Sequence, residues 1–355
     1  MMLKPSDIRR IRFIDHDGRV GLPWDPFLKV FESEGFEFLD SSDEESEFEF
    51  LISCRHSNAM VRECEIRGVN PNRRALVVLE PECVDPFPYL SQTREKYGNL
   101  YAGSESWATR LGGKAFRYFN GALSLLDNKS RPDLLETELR ANKFVMIQAH
   151  KFSVIHGEQY SLRREVAQEA WRSEIALDLY GRSWLMSNTK VLLSVLRSIH
   201  NGLSYAIKAR QPLVLKLRGL KNAWLKCGVH FKGEPDDQID VLKKYRYAIV
   251  IENSLDFISE KLFNAMAAGC RVLYVGESLS VYGAIPSSVR IVKPDSKLIV
   301  EEMSRMLSST INEEVKPLQI RAEAQSLFMD SDAARVQRML AEMILKQFNK
   351  DMKAF

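Results

Sequence analysis

The chain of 355 residues is 45% hydrophobic and 27% charged, enough apolar material for two cores of roughly 150 to 200 residues each. A net charge of +3, with 18 Gly and 13 Pro, excludes a nucleic-acid-binding composition and a disordered tail as the basis of function. Charge is unevenly placed: nine acids crowd 32–49, whereas 179–233 holds ten Lys or Arg and no acid.

The opening MMLKPSDIRRIRFIDHDGR lacks the continuous apolar core of roughly seven to fifteen residues that a secretory signal needs, so a cytoplasmic protein is expected. Short β-branched and aromatic runs at 11–14, 36–39, 48–53 and 75–79 are divided by helical or polar stretches, which predicts a doubly wound α/β sheet. The acidic centre of 32–49 reads as a loop between two of these strands. Pro81 stops the fourth run, so in LEPE (79–82) Glu80 projects from a strand's carboxyl end, with Glu82 just beyond it. The passage to a second domain is expected near 135–143, giving domains 1–140 and 141–355.

The second domain opens with KFVMIQAH, an irregular loop, a helix and IALDLYGR, one βαβ unit. Basic and apolar residues then alternate through 179–233, and two readings stand. In the first, 191–196 and 213–217 are buried elements whose basic neighbours line the diphosphate side of a cleft. In the second, the segment is an amphipathic surface for anionic lipid headgroups, since no stretch is long enough to span a bilayer. A second βαβ unit occupies 245–276, with an apolar run at 248–251, a polar loop at 252–259, a helix from Glu260 and another run at 272–275. Ligands of open α/β sheets bind at the carboxyl ends of strands, where Glu252 and Asn253 stand. The first turn of the helix favours an anion, so Lys261 would meet a phosphate and Glu260 would accept from a sugar or ribose hydroxyl. The plainer reading is a helix start capped by Ser259 with a solvated Glu–Lys pair. Tyr245 and Tyr247 read as core packing. Over 332–355, Val336, Met339, Leu340, Met343, Ile344 and Phe348 fall at helical spacing and predict a packing helix.

Several chemistries lack their motifs. The six histidines are scattered without ligand spacing, and the five cysteines are odd in number with no CxxC, which points to reduced thiols and no metal site. No GxGxxG follows the first strand, and neither GxxxxGK[ST] nor GxSxG occurs, which argues against a dehydrogenase, a P-loop enzyme or a serine hydrolase.

In this order FKGEPDDQIDVLKKY, KYRYAIVIENS, ISEKLFNAMAAG, VLYVGE and VYGAIP, with LEPE upstream, resemble the signature of the bacterial-type α-1,3-fucosyltransferases, glycosyltransferase family 10. The likeness extends over about 231–286. It implies a GT-B fold, two Rossmann-like doubly wound domains facing a cleft, with the acceptor side in 1–140, the donor side in 141–355 and the last helix returning to the first domain. It also implies a GDP-fucose donor and an inverting, metal-independent transfer without cofactor to a glycan or lipid-linked glycan, in bacterial surface polysaccharide synthesis. Carried over by position, Glu80 is the base, with Glu82 as the alternative. Arg164 or its neighbour Arg163 meets the diphosphate, Asn253 and Ser254 contact the donor, Phe257 covers the nucleotide, and Glu260 and Lys261 act at the reacting centre. One departure is a loop two residues shorter than the family's between ENS and SEK, which leaves Glu252 and Glu260 eight apart. Many retaining GT-B enzymes that use other donors share that spacing. A retaining enzyme is therefore the first alternative, and a non-catalytic glycan-binding or membrane-associated protein of this fold the second.

Overall fold

The structure is a computed structural model that describes residues 9–15, 24–39, 46–116, 140–209, 223–225, 230–282, 284–308, 316–328 and 333–352. Two compact units divide the chain: Met1–Phe119 with Ser331–Phe355, and Asn120–Asp330. A single cut after residue 140 differs from this division at the terminal helix.

The first unit runs β1 (Arg9–Ile14), α1 (Asp25–Ser33), β2 (Phe36–Leu39), β3 (Phe50–Ser53), α2 (Asn58–Ile66), β4 (Arg74–Val78), α3 (Ser91–Arg94), β5 (Asn99–Ala102), α4 (Glu105–Leu111) and β6 (Lys114–Ala115). All six strands are parallel, in the order β2-β1-β3-β4-β5-β6. The four runs read from sequence are β1 to β4, and their apolar faces explain the pairing: Ile11, Phe13, Phe50, Ile52, Ala75 and Val77 are buried in one core.

The second unit runs β7 (Ala141–Ile147), α5 (Tyr160–Arg172), β8 (Leu177–Tyr180), α6 (Asn188–Ala209), α7 (Gln238–Leu242), β9 (Tyr245–Ile251), α8 (Glu260–Ala267), β10 (Arg271–Val275), β11 (Val289–Ile291), α9 (Ser296–Ser308) and α10 (Pro317–Phe328). Its parallel order is β11-β10-β9-β7-β8. Tyr247 stacks on Phe144 inside the core, and Tyr245 donates its hydroxyl to the buried Asp178 at 2.9 Å.

Local chemistry explains how α8 is framed. Ser259 has extended backbone and its hydroxyl accepts from the Lys261 amide, while the helix stops at Gly269 with φ +78. There the Gly269 and Cys270 amides close on the Met266 and Ala265 carbonyls, the paired bonds of a Schellman stop, and the chain turns directly into β10.

The terminal helix α11 (Ala333–Met352) belongs to the first unit. Its Val336, Leu340, Ile344 and Phe348 are buried, and Phe348 lies 4.7 Å from the Phe50 ring. Met343 is only partly buried and Met339 is exposed, whereas Ala341 and Leu345 are buried, so the packing stripe is turned toward 341 and 345 relative to the one the helical spacing suggested.

Gly181, just past β8, has φ +127, and a Cβ there would run into the Gln148 backbone carbonyl. Both backbone strain and a clash with the end of β7 follow, so Gly181→Ala is expected to lower stability by about 2 kcal/mol or more. Urea unfolding of the two proteins measures the difference, and equal midpoints would contradict the account.

Candidate functional site

In the second sheet the chain moves from β7 outward to β8, then returns to pair β9 on the other side of β7. The crossovers at that point diverge to opposite faces and leave a crevice outside the strand ends, the position at which open α/β sheets bind ligands. Two loops reach this edge, 148–159 after β7 and 252–259 after β9.

Buried polar groups lock these loops together. Gln148 donates its Nε2 to the Ile251 carbonyl at 2.8 Å, and Arg163 donates Nε and Nη2 to the same carbonyl at 3.0 and 2.7 Å. Arg163 Nη2 also reaches Asn253 Oδ1 at 2.9 Å, and the Gln159 amide donates to the Asn253 carbonyl at 3.0 Å. The Arg163 guanidinium further lies over the Tyr160 ring, 4.9 Å from its centroid. Arg163 is thus the internal tie between β9 and α5.

Both helices that start at this edge are met by a buried glutamate. Glu158 accepts from the Ser161 amide at 3.0 Å and from its hydroxyl at 2.7 Å. Glu252 does the same for Ser259, at 2.9 and 2.7 Å. Each carboxylate satisfies donors of a helix start that would otherwise be orphaned. Burial pushes the Glu252 carboxyl above its usual range, opposed by the nearby Lys261 ammonium. Lys261 itself is partly exposed, its Nζ 3.1 Å from Ser259 Oγ and 3.5 Å from Glu260 Oε1. A flexible cation therefore stands on the first turn of α8, where the dipole also favours an anion.

The remaining candidates lie in α5 and in the loop 252–259. Arg164 is fully buried, donates Nη1 to the Lys151 carbonyl at 2.7 Å and lies 4.8 Å from the Phe152 ring centroid. Burial lowers its pKa to about 10, which leaves it cationic at neutral pH. Ser254 is buried and donates to Asp256 Oδ1 at 2.6 Å, and the Phe257 carbonyl accepts from the Glu277 amide at 3.3 Å. The structure thus gathers Arg163, Arg164, Glu252, Asn253, Ser254, Phe257, Glu260 and Lys261 on two loops and two helix starts of one unit.

Glu80 and Glu82 belong to the first unit, just past β4. Tyr89 donates its hydroxyl to the Glu80 carbonyl at 3.2 Å, which holds the turn. The Glu82 carboxylate is taken by Arg110 Nη1 at 2.9 Å, and that guanidinium lies 5.1 Å from the Tyr89 ring centroid.

Sequence reasoning passed over Gln148, Glu158 and His150. His150 is buried, sandwiched face to face on Trp184 at 4.7 Å and edge-on to Phe152 at 4.8 Å. Its Nδ1 lies 3.1 Å from the Ser183 carbonyl and so carries the proton. Its Nε2 is then an acceptor, buried and without a hydrogen-bond partner among the described residues. The signal that could have found it is its place three residues after β7, on the ligand edge of the sheet.

Burial, helped by the Arg164 charge, pulls the His150 pKa from 6.5 down to about 4. The folded protein keeps neutral an imidazole that the unfolded chain would protonate. The stability this contributes is present above about pH 6.5 and is lost as pH falls toward about 4, on the order of 3 kcal/mol in total. Urea unfolding across that window should show a steeper acid loss for the parent than for His150→Phe. Parallel curves would show that this histidine is not the titrating group.

No protein-family model matches the chain, and no curated protein matches it. Solved structures do. OtsA in its apo form superposes with TM-score 0.51 at 11% identity, over 90% of this chain and 81% of that chain. HepE of Anabaena in complex with UDP gives TM-score 0.49 at 14% identity over 95% and 100% of the two chains, and a glycosyltransferase of Rickettsia africae gives 0.49 at 8% over 97% and 99%. At these identities the likeness establishes the fold: two parallel-sheet Rossmann-like units of the GT-B type.

Proposed function

We propose that the chain is a glycosyltransferase that takes a nucleoside-diphosphate sugar at the carboxyl edge of the second sheet and passes the sugar to a hydroxyl of a glycan or lipid-linked glycan. The observation that carries this reading is the switch point itself: Lys261 on the capped first turn of α8, with Arg164 of α5 fixed as a cation by the Lys151 carbonyl of the facing loop. As the bond from C1 of the sugar to the β-phosphate oxygen breaks, its electron pair stays on the diphosphate. Fixed cations stabilise that growing charge more than they stabilise the bound donor.

Attack needs a base. A carboxylate takes the proton of the acceptor hydroxyl as its oxygen bonds to C1. Glu80 is the candidate that the resemblance implies, with Glu82, whose carboxylate is ion-paired to Arg110, as the alternative. With one base and attack opposite the departing diphosphate, transfer inverts the anomeric centre and uses no cofactor. GDP-fucose is the donor implied by the resemblance of 231–286. The eight-residue spacing of Glu252 and Glu260 lends little to a retaining reaction, since Glu252 is buried and both its oxygens serve Ser259.

Thermal unfolding with a panel of nucleotides tests the donor, because a ligand that binds only the native state raises the midpoint by mass action. GDP and GDP-fucose are expected to stabilise the protein selectively. A shift with only UDP, ADP or CMP species would replace the donor, and no shift with any would remove the enzyme reading.

A further inference from the structure

Helix α6 carries more apolar surface than its unit uses. Val191, Val195, Gly202 and Tyr205 are its buried side, and the two valines pack with Ala223 against Phe152, Met186 and Ile199. At about 100° per residue, Leu192, Leu193, Leu196 and Ile207 form a separate strip about a quarter-turn or more away. They are 46%, 59%, 52% and 73% exposed, and Leu185 just before the helix is 70% exposed. Lys190, Arg197 and Lys208 are also exposed and fall within about 20° of one another along the outer border of that strip.

A helix facing water ordinarily shows polar residues on its outer side, and scattered single exposures need no explanation. Here the exposed apolar residues recur on one face, bordered by a row of cations, within 179–233 where the sequence has no acid at all. We propose that α6 is a membrane-contact surface that lies flat on an anionic bilayer. Its leucines and Ile207 would enter the boundary between headgroups and acyl chains, while the Lys and Arg side chains extend to the lipid phosphates. No helix among the described residues is long and apolar enough to cross a membrane, so the contact is superficial. A second copy of the chain is a poorer occupant, because a twofold contact along α6 sets the basic row against itself with no acid of this segment to answer it. Of the basic residues of 179–233, Arg210, Lys216 and Arg218, with the run 213–217, lie outside the described residues, so the surface rests on α6 alone.

Sedimentation of the full chain with vesicles tests this directly. Phosphatidylglycerol vesicles should pellet the protein at least about tenfold more effectively than phosphatidylcholine vesicles. The triple change Leu193→Ser, Leu196→Ser and Ile207→Ser alters only exposed positions, so the unfolding midpoint should hold while vesicle binding falls about tenfold. The triple change Lys190→Ser, Arg197→Ser and Lys208→Ser should abolish the preference for anionic lipid, and it decides the matter if the apolar variant fails to fold. The proposal is overturned if the parent does not bind anionic vesicles or if both variants bind as the parent does. It is equally overturned if light scattering finds a parent dimer that the apolar variant dissolves while neither binds vesicles.

Discussion

Glu80→Gln is expected to lower turnover of sugar transfer by about 10²-fold or more while the stabilisation by GDP stays within error of the parent's. Glutamine keeps the shape of the side chain and its capacity to accept, but it cannot take the acceptor's proton. The loss should therefore fall on kcat and leave undisturbed the nucleotide affinity, which is proposed to reside in the other unit. Tyr89 bonds the Glu80 backbone carbonyl, a contact the substitution leaves in place, so the turn survives the change. Glu82→Gln is the control. It weakens the ion pair with Arg110, an interaction with both partners partly exposed, and should cost little in turnover. If Glu82→Gln is the variant that loses transfer and Glu80→Gln is not, the roles are exchanged. If neither loses it, the base lies elsewhere.

Much of the fold was legible because it depends on local pattern. The apolar runs, the Pro81 stop, the Ser259 cap and the Gly269 terminus are written within a few residues of the elements they bound, and β9, α8 and β10 follow them closely. The candidate site was legible in position but not in the direction of its side chains. Polar residues at a strand end read alike whether they face a ligand or the protein, and the difference is decided by partners distant in sequence. Arg163 finds the Ile251 carbonyl 88 residues away, while Arg164, one position on and so turned by about 100°, finds Lys151 in the loop that leads into its helix. His150 was passed over because histidines were sought by their mutual spacing, whereas its environment is made by Trp184 and Ser183, more than thirty residues on. Helix α6 defeated the pattern differently, since its apolar residues form two faces and only one is buried.

The neighbouring cations of the second unit should separate into structural and ligand-binding groups. Lys261→Ala is expected to weaken GDP binding by about tenfold or more with only a small change in the stability of the free protein. Its ammonium is partly exposed, and among the described residues it bonds the Ser259 hydroxyl and lies beside the Glu260 carboxylate, so little of the fold depends on it. Arg163→Met should do the reverse and first of all lower stability, by about 3 kcal/mol or more. The change deletes a buried charge that bonds the Ile251 carbonyl twice and Asn253 once, and methionine can replace the packing on Tyr160 but none of the donors. Gln148 still serves the Ile251 carbonyl, which limits the loss and leaves a folded variant to measure. Calorimetric titration with GDP and urea unfolding, run on both variants, give the two readouts. Unchanged GDP affinity in Lys261→Ala would take Lys261 out of the site. Unchanged stability in Arg163→Met would mean that β9 and α5 are not joined by the guanidinium, and the second unit's switch point would then need another origin for its rigidity.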